Sequence, residues 1–296
     1  MRTYLDCIPC FFRQALEASQ LAGADQGTQR LVMNRLAAIL PSFPLRSTPP
    51  EMGRLIYRMV GKASGKRDPY AHIKAESNRK ALKIYPRLKE RILRSRDRLG
   101  MAVRFAIAGN IIDYGVKNSL DVEYELKKML KTEDRTVRQE SHKFYAYEKF
   151  KKALRRSKTI LYLADNAGET VFDRLLIEEI KREDAGKRIF YAVKSGPTIN
   201  DALIEDARVC GIGSAAEIIT NGLAAPGTIL PLCSRAFLKR FRNADMVISK
   251  GQGNFESLSR SPRRVFFLFM AKCPVVASHV GCRVGDIILQ CGGKRP

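Results

Sequence analysis

The stretch Thr159-Ile160-Leu161-Tyr162-Leu163-Ala164-Asp165-Asn166-Ala167-Gly168-Glu169 decides the fold. Its first six residues are a short apolar run rich in β-formers. A polar turn containing glycine breaks that run, which predicts a buried strand ending in a loop. Thr170 to Ile180 then repeats apolar residues at helical spacing. A strand–loop–helix unit of this kind places Asp165, Asn166 and Glu169 outside the carboxyl end of a strand, where open α/β sheets bind ligands. Adjacent Asp and Asn oxygens suit a hard cation such as Mg²⁺ or Mn²⁺. The same residues also read as plain turn chemistry, since Asp and Asn bond their own backbone and Gly supplies a positive φ. The balance turns on how many other polar clusters close strands in the same half.

Strand–helix alternation begins near residue 157. Strands are predicted at Thr159–Ala164, Arg188–Lys194, Glu217–Thr220, Met246–Lys250 and Val265–Met270, with helices at Thr170–Arg182, Ile199–Cys210 and Thr228–Asn243. The class is therefore α/β, a three-layer αβα arrangement around a mainly parallel sheet. Residues 1 to about 150 read as mostly helical instead, at Phe11–Gln20, Gln29–Ile39, Glu51–Val60, Ile73–Tyr85 and Tyr124–Leu130, with a Pro-rich connector over residues 40–50. The expected organisation is an N-terminal all-helical domain over 1–100, a helical connection to about 156, and an α/β domain spanning 101–296.

In a parallel sheet the loops that follow the strands emerge on one edge. The second strand runs into Ser195-Gly196-Pro197-Thr198-Ile199-Asn200-Asp201, and the fourth into Lys250-Gly251-Gln252-Gly253-Asn254-Phe255-Glu256. Asp165, Asn166, Asp201 and Lys250 are thus expected to converge. Three oxygen ligands leave coordination positions for water and a substrate phosphate, and a lysine beside Gly-rich backbone neutralises phosphoryl oxygens. Lys250-Gly251-Gln252-Gly253 alone is a weak signal and lacks P-loop spacing. Gly109-Asn110-Ile111-Ile112-Asp113 reads equally as a site lining or a helix cap.

With 296 residues, 45% of them hydrophobic, the chain can bury a large core. No run reaches the roughly 18 apolar residues of a membrane helix, and no apolar signal core follows Met1, so a cytoplasmic protein with reduced thiols is expected. The net charge is +23, and residues 51–100 hold 15 Lys and Arg against 5 Asp and Glu. Such an excess attracts phosphate-bearing partners, nucleic acid among them. Many of these charges alternate with apolar residues, however, as on the solvated face of an amphipathic helix. There is no helix-turn-helix, zinc-finger or ribonucleoprotein motif.

Cys7-Ile8-Pro9-Cys10 opens a helical run. The pair admits a structural role, an accessory metal site with Cys273, or redox chemistry. His72, His142 and His279 show no i, i+4 pairing, and neither a Gly-x-Ser-x-Gly motif nor a Ser/His/Asp set is present.

Taken together, Cys7-Ile8-Pro9-Cys10, Asp68-Pro69-Tyr70, Gly109-Asn110-Ile111-Ile112-Asp113, Asp165-Asn166-Ala167-Gly168-Glu169, Asn200-Asp201 and Lys250-Gly251-Gln252-Gly253-Asn254-Phe255-Glu256 resemble the damage-control phosphatase family in order and spacing. The N-terminal Cys-x-x-Cys resembles its mostly prokaryotic subfamily. The resemblance implies a metal-dependent phosphatase acting on small phosphometabolites with Mn²⁺, Ni²⁺, Co²⁺ or Mg²⁺. It implies Asp165, Asn166 and Asp201 as metal ligands, and Lys250 and Asn110 near the phosphate. Glu169 is the candidate to order or deprotonate the attacking water, and an aspartate nucleophile is the alternative. Asp68, Tyr70, Lys74 and Asn78, with Asp113, Asn200 and Gly251, are the candidate substrate contacts. The spacing puts Lys74 and Asn78 on one helical face. The rivals are a nucleic-acid-binding protein using the helical basic face and a nucleotide-binding transferase.

Overall fold

A computed structural model describes residues 1–109 and 144–293. Its centre is a six-stranded sheet: β1 (Thr159–Leu163), β2 (Arg188–Val193), β3 (Glu217–Thr220), β4 (Met246–Lys250), β5 (Val265–Met270) and β6 (Ile287–Gly292). The spatial order is β3-β2-β1-β4-β5-β6. The first five strands pair in parallel, and β6 runs antiparallel to β5. The chain moves outward from β1 through β2 to β3, then returns to start β4 on the other side of β1. The boundary between β1 and β4 is therefore the topological switch point, where such sheets leave a crevice at their carboxyl edge.

The described helices are α1 (Cys7–Leu21), α2 (Gln26–Ile39), α3 (Pro49–Ser64), α4 (Ala71–Leu93), α5 (Arg98–Ala108), α6 (Tyr147–Arg156), α7 (Glu169–Glu183), α8 (Ile204–Val209), α9 (Arg235–Asn243), α10 (Gln252–Leu258) and α11 (Pro274–Val280). Local chemistry sets several starts. Asp25 accepts from the Thr28 amide, Ser234 from Phe237, and Thr48 and Glu51 close a capping box before α3.

Strand alternation divides the core. Ile160, Tyr162, Tyr191 and Ile248 face one side, packed by residues of α4, α5, α6 and α7. Leu161, Leu163, Phe190, Val247 and Phe267 face the other, covered by α9 and α10. Every interior strand is thus buried on both faces, as a parallel sheet requires. A third cluster joins α1, α2 and α3 through Phe11, Ala15, Leu36, Met52 and Ile56. The buried apolar residues from Ala81 to Ala108 belong to the sheet's core rather than to that cluster.

The five strands expected from sequence are present, with small shifts at their ends. Two helices are shorter than expected. Ile199–Cys210 is helical only over Ile204–Val209, because residues 198–201 close a turn, with the Asp201 amide donating to the Thr198 carbonyl and Ile199 at φ 43°, and Asp201 then bridges to Asn166. Thr228–Asn243 is helical only over Arg235–Asn243, after a 3-10 turn containing Pro231. Strand β6 and helices α10 and α11 went unforeseen. The expected helix Tyr124–Leu130 lies outside the described residues. Among the described residues no helix is long and apolar enough to cross a membrane.

Candidate active site

Two loops pair at the carboxyl edge of the sheet. The Ala167 amide donates to the Asn200 carbonyl at 2.8 Å, the Ala202 amide donates to the Asp165 carbonyl at 2.8 Å, and Asn166 and Asp201 form the bridge between them. The backbone thus clamps the ends of β1 and β2 together and brings Asp165, Asn166 and Asp201 to one place. All three side chains are buried. Asn254 fastens the site from the other side of the switch point, donating to the carbonyls of Ala164 and Lys250 at 3.0 and 2.9 Å. Thr228 donates to its amide oxygen at 2.8 Å.

The Asn166 amide nitrogen donates to Glu169 Oε1 at 2.9 Å and lies 3.3 Å from Asp165 Oδ2. That makes the amide oxygen the atom on offer as a ligand. Glu169 opens α7, after Gly168 turns the chain at φ 79°. Its Oε2 accepts from Lys250 Nζ at 2.9 Å, and the same ammonium donates to Asp173 Oδ1 at 2.8 Å. Lys250 is wholly enclosed, at 0% exposure. Burial works against its charge, yet Asp173 and Glu169 outweigh that and hold the ammonium above its ordinary pKa.

Asp165 shows the opposite balance. Burial, then the neighbouring charges of Glu169 and Asp201, push its carboxyl well above the usual range, and Lys272 and Lys194 relieve this in part. Lys194 Nζ stands 3.5 Å from Asp201 Oδ2. Lys194 and Lys272 were not singled out from sequence. The signal for Lys194 was its place directly after the apolar run of β2; Lys272 follows β5 with no comparable mark.

The carboxylates crowd one another and the donor set is hard oxygen, so the residues fit a divalent cation: a positive charge here would reverse the repulsion that burdens Asp165. Among the described residues no group of three or more His, Cys, Asp and Glu is arranged to hold a metal. A set of two carboxylates and one amide is smaller than that, and leaves the remaining positions to water and substrate.

The helical side contributes through Asn78. Its Oδ1 accepts from the Gly168 amide at 2.6 Å, and its Nδ2 donates to Asp206 Oδ1 at 2.7 Å, so α4 is bonded directly to the Asp165 loop. Lys74, one turn earlier, pairs with Asp68 at 2.6 Å. Asp68, Lys74 and Asn78 line a groove of about 880 Å³ between α4 and α8, with Arg79, Leu203 and Asp206 opposite or beside them. Tyr70 is not on that groove: its ring is buried in the helical cluster, edge-on to Tyr57 at 6.5 Å. Asn200 takes part through its backbone carbonyl, and Gly251 packs against Asp165. Asn110 and Asp113 lie outside the described residues.

All seven cysteines are free thiols. Cys7 is half-buried and shares its surroundings with Glu256 and Cys273, while Cys10 is exposed and accepts from Gln14. Part of the basic excess over 51–100 is neutralised internally: Lys89 pairs with Glu178, Arg98 with Glu179, and Lys80 with Glu76.

Residues 3–288 match the family model described as the damage-control phosphatase ARMT1-like domain. The chain belongs to that family. It is 35% identical over 291 residues to damage-control phosphatase PH1575 of Pyrococcus horikoshii, covering 97% of each protein. It is likewise 35% identical over 287 residues to a damage-control phosphatase of Archaeoglobus fulgidus, covering 96% of this chain and 97% of that one. A crystal structure of a DUF89 family protein from P. horikoshii superimposes with a TM-score of 0.86 at 32% identity, spanning 99% of this chain and 100% of the other. The resemblance drawn from six short motifs and the match over nearly the whole length agree. Membership in a family of phosphatases supports hydrolase activity of the house-cleaning kind.

Proposed function

We propose that this family member hydrolyses small phosphorylated metabolites at a divalent cation held by Asp165, Asn166 and Asp201. One observation carries the reading: the Asn166–Asp201 backbone bridge gathers these oxygen donors at the carboxyl edge of the sheet, with Lys194 Nζ 3.5 Å from Asp201 Oδ2. The bound ion, Mn²⁺, Ni²⁺, Co²⁺ or Mg²⁺, supplies Lewis-acid polarisation of the phosphoryl group.

The chain's own residues do the rest. Lys272 and Lys194, whose charges already bear on Asp165, draw the phosphate toward it. Lys250, enclosed between Glu169 and Asp173, serves as the fixed charge that holds Glu169 in place. Glu169 orients the Asn166 amide and is the base we assign to the attacking water. Water adds to phosphorus, the ester oxygen leaves as an alcohol, and the proton passes by way of Glu169. The groove beside Lys74 and Asn78 receives the organic part of the substrate.

The test is hydrolysis of an aryl phosphate and a panel of sugar phosphates by metal-stripped protein, with Mg²⁺, Mn²⁺, Co²⁺ and Ni²⁺ added back. Turnover restored by metal in wild type and absent in Asp165→Ala is expected. Folded wild-type protein that turns over no phosphoester with any metal would overturn the reading.

A further inference from the structure

Beneath the proposed site lies a group of three side chains that the reaction itself does not use. The parallel register sets Tyr162 of β1 directly beside Tyr191 of β2, and both rings lie on the sheet face covered by α7. Their hydroxyls converge on one carboxylate. Tyr162 donates to Asp173 Oδ1 at 2.7 Å, and Tyr191 donates to Asp173 Oδ2 at 2.8 Å. Asp173 follows Glu169 by one helical turn of α7, so the two carboxylates share a face. Lys250 reaches them from β4, on the far side of β1, with Nζ 2.8 Å from Asp173 Oδ1. Tyr162, Tyr191, Asp173 and Lys250 are all at 0% exposure.

Stability alone does not account for this construction. A buried ion pair contributes about as much as well-packed apolar residues of the same volume, and often less. Glu169 by itself would neutralise Lys250. A second carboxylate pinned by two hydroxyls adds no needed charge, yet it removes the freedom of the ammonium to swing. Two tyrosine hydroxyls fix Asp173, and Asp173 in turn fixes the direction of Lys250 toward Glu169.

We infer that Asp173, braced by Tyr162 and Tyr191, is a positioning residue that sets the Lys250 ammonium against Glu169 and so holds the proposed base in register with Asn166. The inference rests on the phosphatase reading for its catalytic consequence, but the positioning itself has a separate readout. An ammonium held from two sides is ordered, and one freed from Asp173 reorients more widely even while it stays buried, which the NMR relaxation of its Nζ reads directly.

The experiment compares full-length wild type, Asp173→Asn and the Tyr162→Phe/Tyr191→Phe double variant. Aryl phosphate turnover with Mn²⁺ is measured beside the NMR relaxation of the Lys250 Nζ ammonium. Lys187, buried at 3% exposure and donating to the Ser157 carbonyl, reports on unfolding. For Asp173→Asn, kcat should fall about 100-fold with KM changed less than about 3-fold, in the range of lost electrostatic preorganisation. The Lys250 ammonium should become mobile while that of Lys187 stays ordered. Unchanged kcat, or a Lys250 ammonium as ordered as in wild type, overturns the inference. If Lys187 is also mobile, Asp173→Asn has unfolded and the double variant decides: kcat lowered about 10-fold with Lys187 ordered supports the brace, and unchanged kcat refutes it. If wild type shows no turnover, the phosphatase reading fails, and the order of the Lys250 ammonium alone decides the positioning.

Discussion

The Asp165 carboxylate lies against the backbone of Gly251: a Cβ built there would stand 1.9 Å from Oδ2 and 2.0 Å from Cγ. Gly251 also has φ 78°, a conformation that side chains resist. Gly251→Ala should displace Asp165, lowering turnover by about 100-fold and stability by about 1–3 kcal/mol. Gly65, at φ 68° with nothing within 4 Å of its Cβ position, is the control. Gly65→Ala should cost some stability in urea denaturation and leave turnover intact. Equal turnover in the two variants would refute the link to Asp165.

Asn78 ties α4 to the loop that carries Asp165 and Asn166. Asn78→Ala removes its bonds to Gly168 and Asp206 at once. A stability loss of about 2–3 kcal/mol is expected, since buried polar groups lose their partner. Turnover should fall as well, while Ala substitution at exposed Arg91, near the far end of α4 and away from the groove, should move neither.

Lys272 and Lys194 are assigned to the phosphate. Lys272→Met should raise KM for an aryl phosphate, and the inhibition constant of inorganic phosphate, by about tenfold each, the worth of a charge-assisted hydrogen bond. Lys194→Met should do the same and also disturb Asp201, which it faces at 3.5 Å. A rise in KM without any change in phosphate inhibition would place both lysines elsewhere in the mechanism.

Glu256 gives a pH signature away from the site. Burial raises its carboxyl from 4.5 to about 7, while the Gln252 amide and the Met1 amine partly oppose the shift. The folded state therefore holds this proton more tightly than the unfolded chain. The stabilisation is full below pH 4.5 and is lost as pH climbs to about 7. The Met1 amine, which burial lowers from 8.0 to about 6, adds a slope of the opposite sign over the upper part of that window, so the comparison is between proteins. Relative to Glu256→Gln, wild type should lose roughly 2 kcal/mol of stability between pH 5 and 8. Parallel profiles for the two proteins would show that Glu256 titrates as an exposed carboxylate.

The sheet and the edge that carries the site were legible because parallel strands are buried on both faces and read as short apolar runs. Asp165, Asn166 and Asp201 stood out at the ends of such runs. The pairing that truncates the helix expected at Ile199 was not legible, since a backbone bridge to Asn166 leaves no mark in side-chain periodicity. Asp173 was hidden for a similar reason. It sits mid-helix among apolar residues, and only the register of Tyr162 with Tyr191 shows what it binds. Strand β6 is antiparallel and follows a turn, outside the alternation that revealed the other five. The groove-lining role of Lys74 was visible as spacing, whereas Tyr70, adjacent in the same motif, turns into the helical core.

The most direct test of the account is Mn²⁺ binding to metal-stripped protein, followed by electron paramagnetic resonance, for wild type, Asp165→Asn and Asp201→Asn. One bound Mn²⁺ per wild-type chain, weakened at least about 100-fold in both variants while they remain folded, is the predicted result. Wild-type affinity retained in both variants would contradict the assignment of Asp165, Asn166 and Asp201 as the cation site.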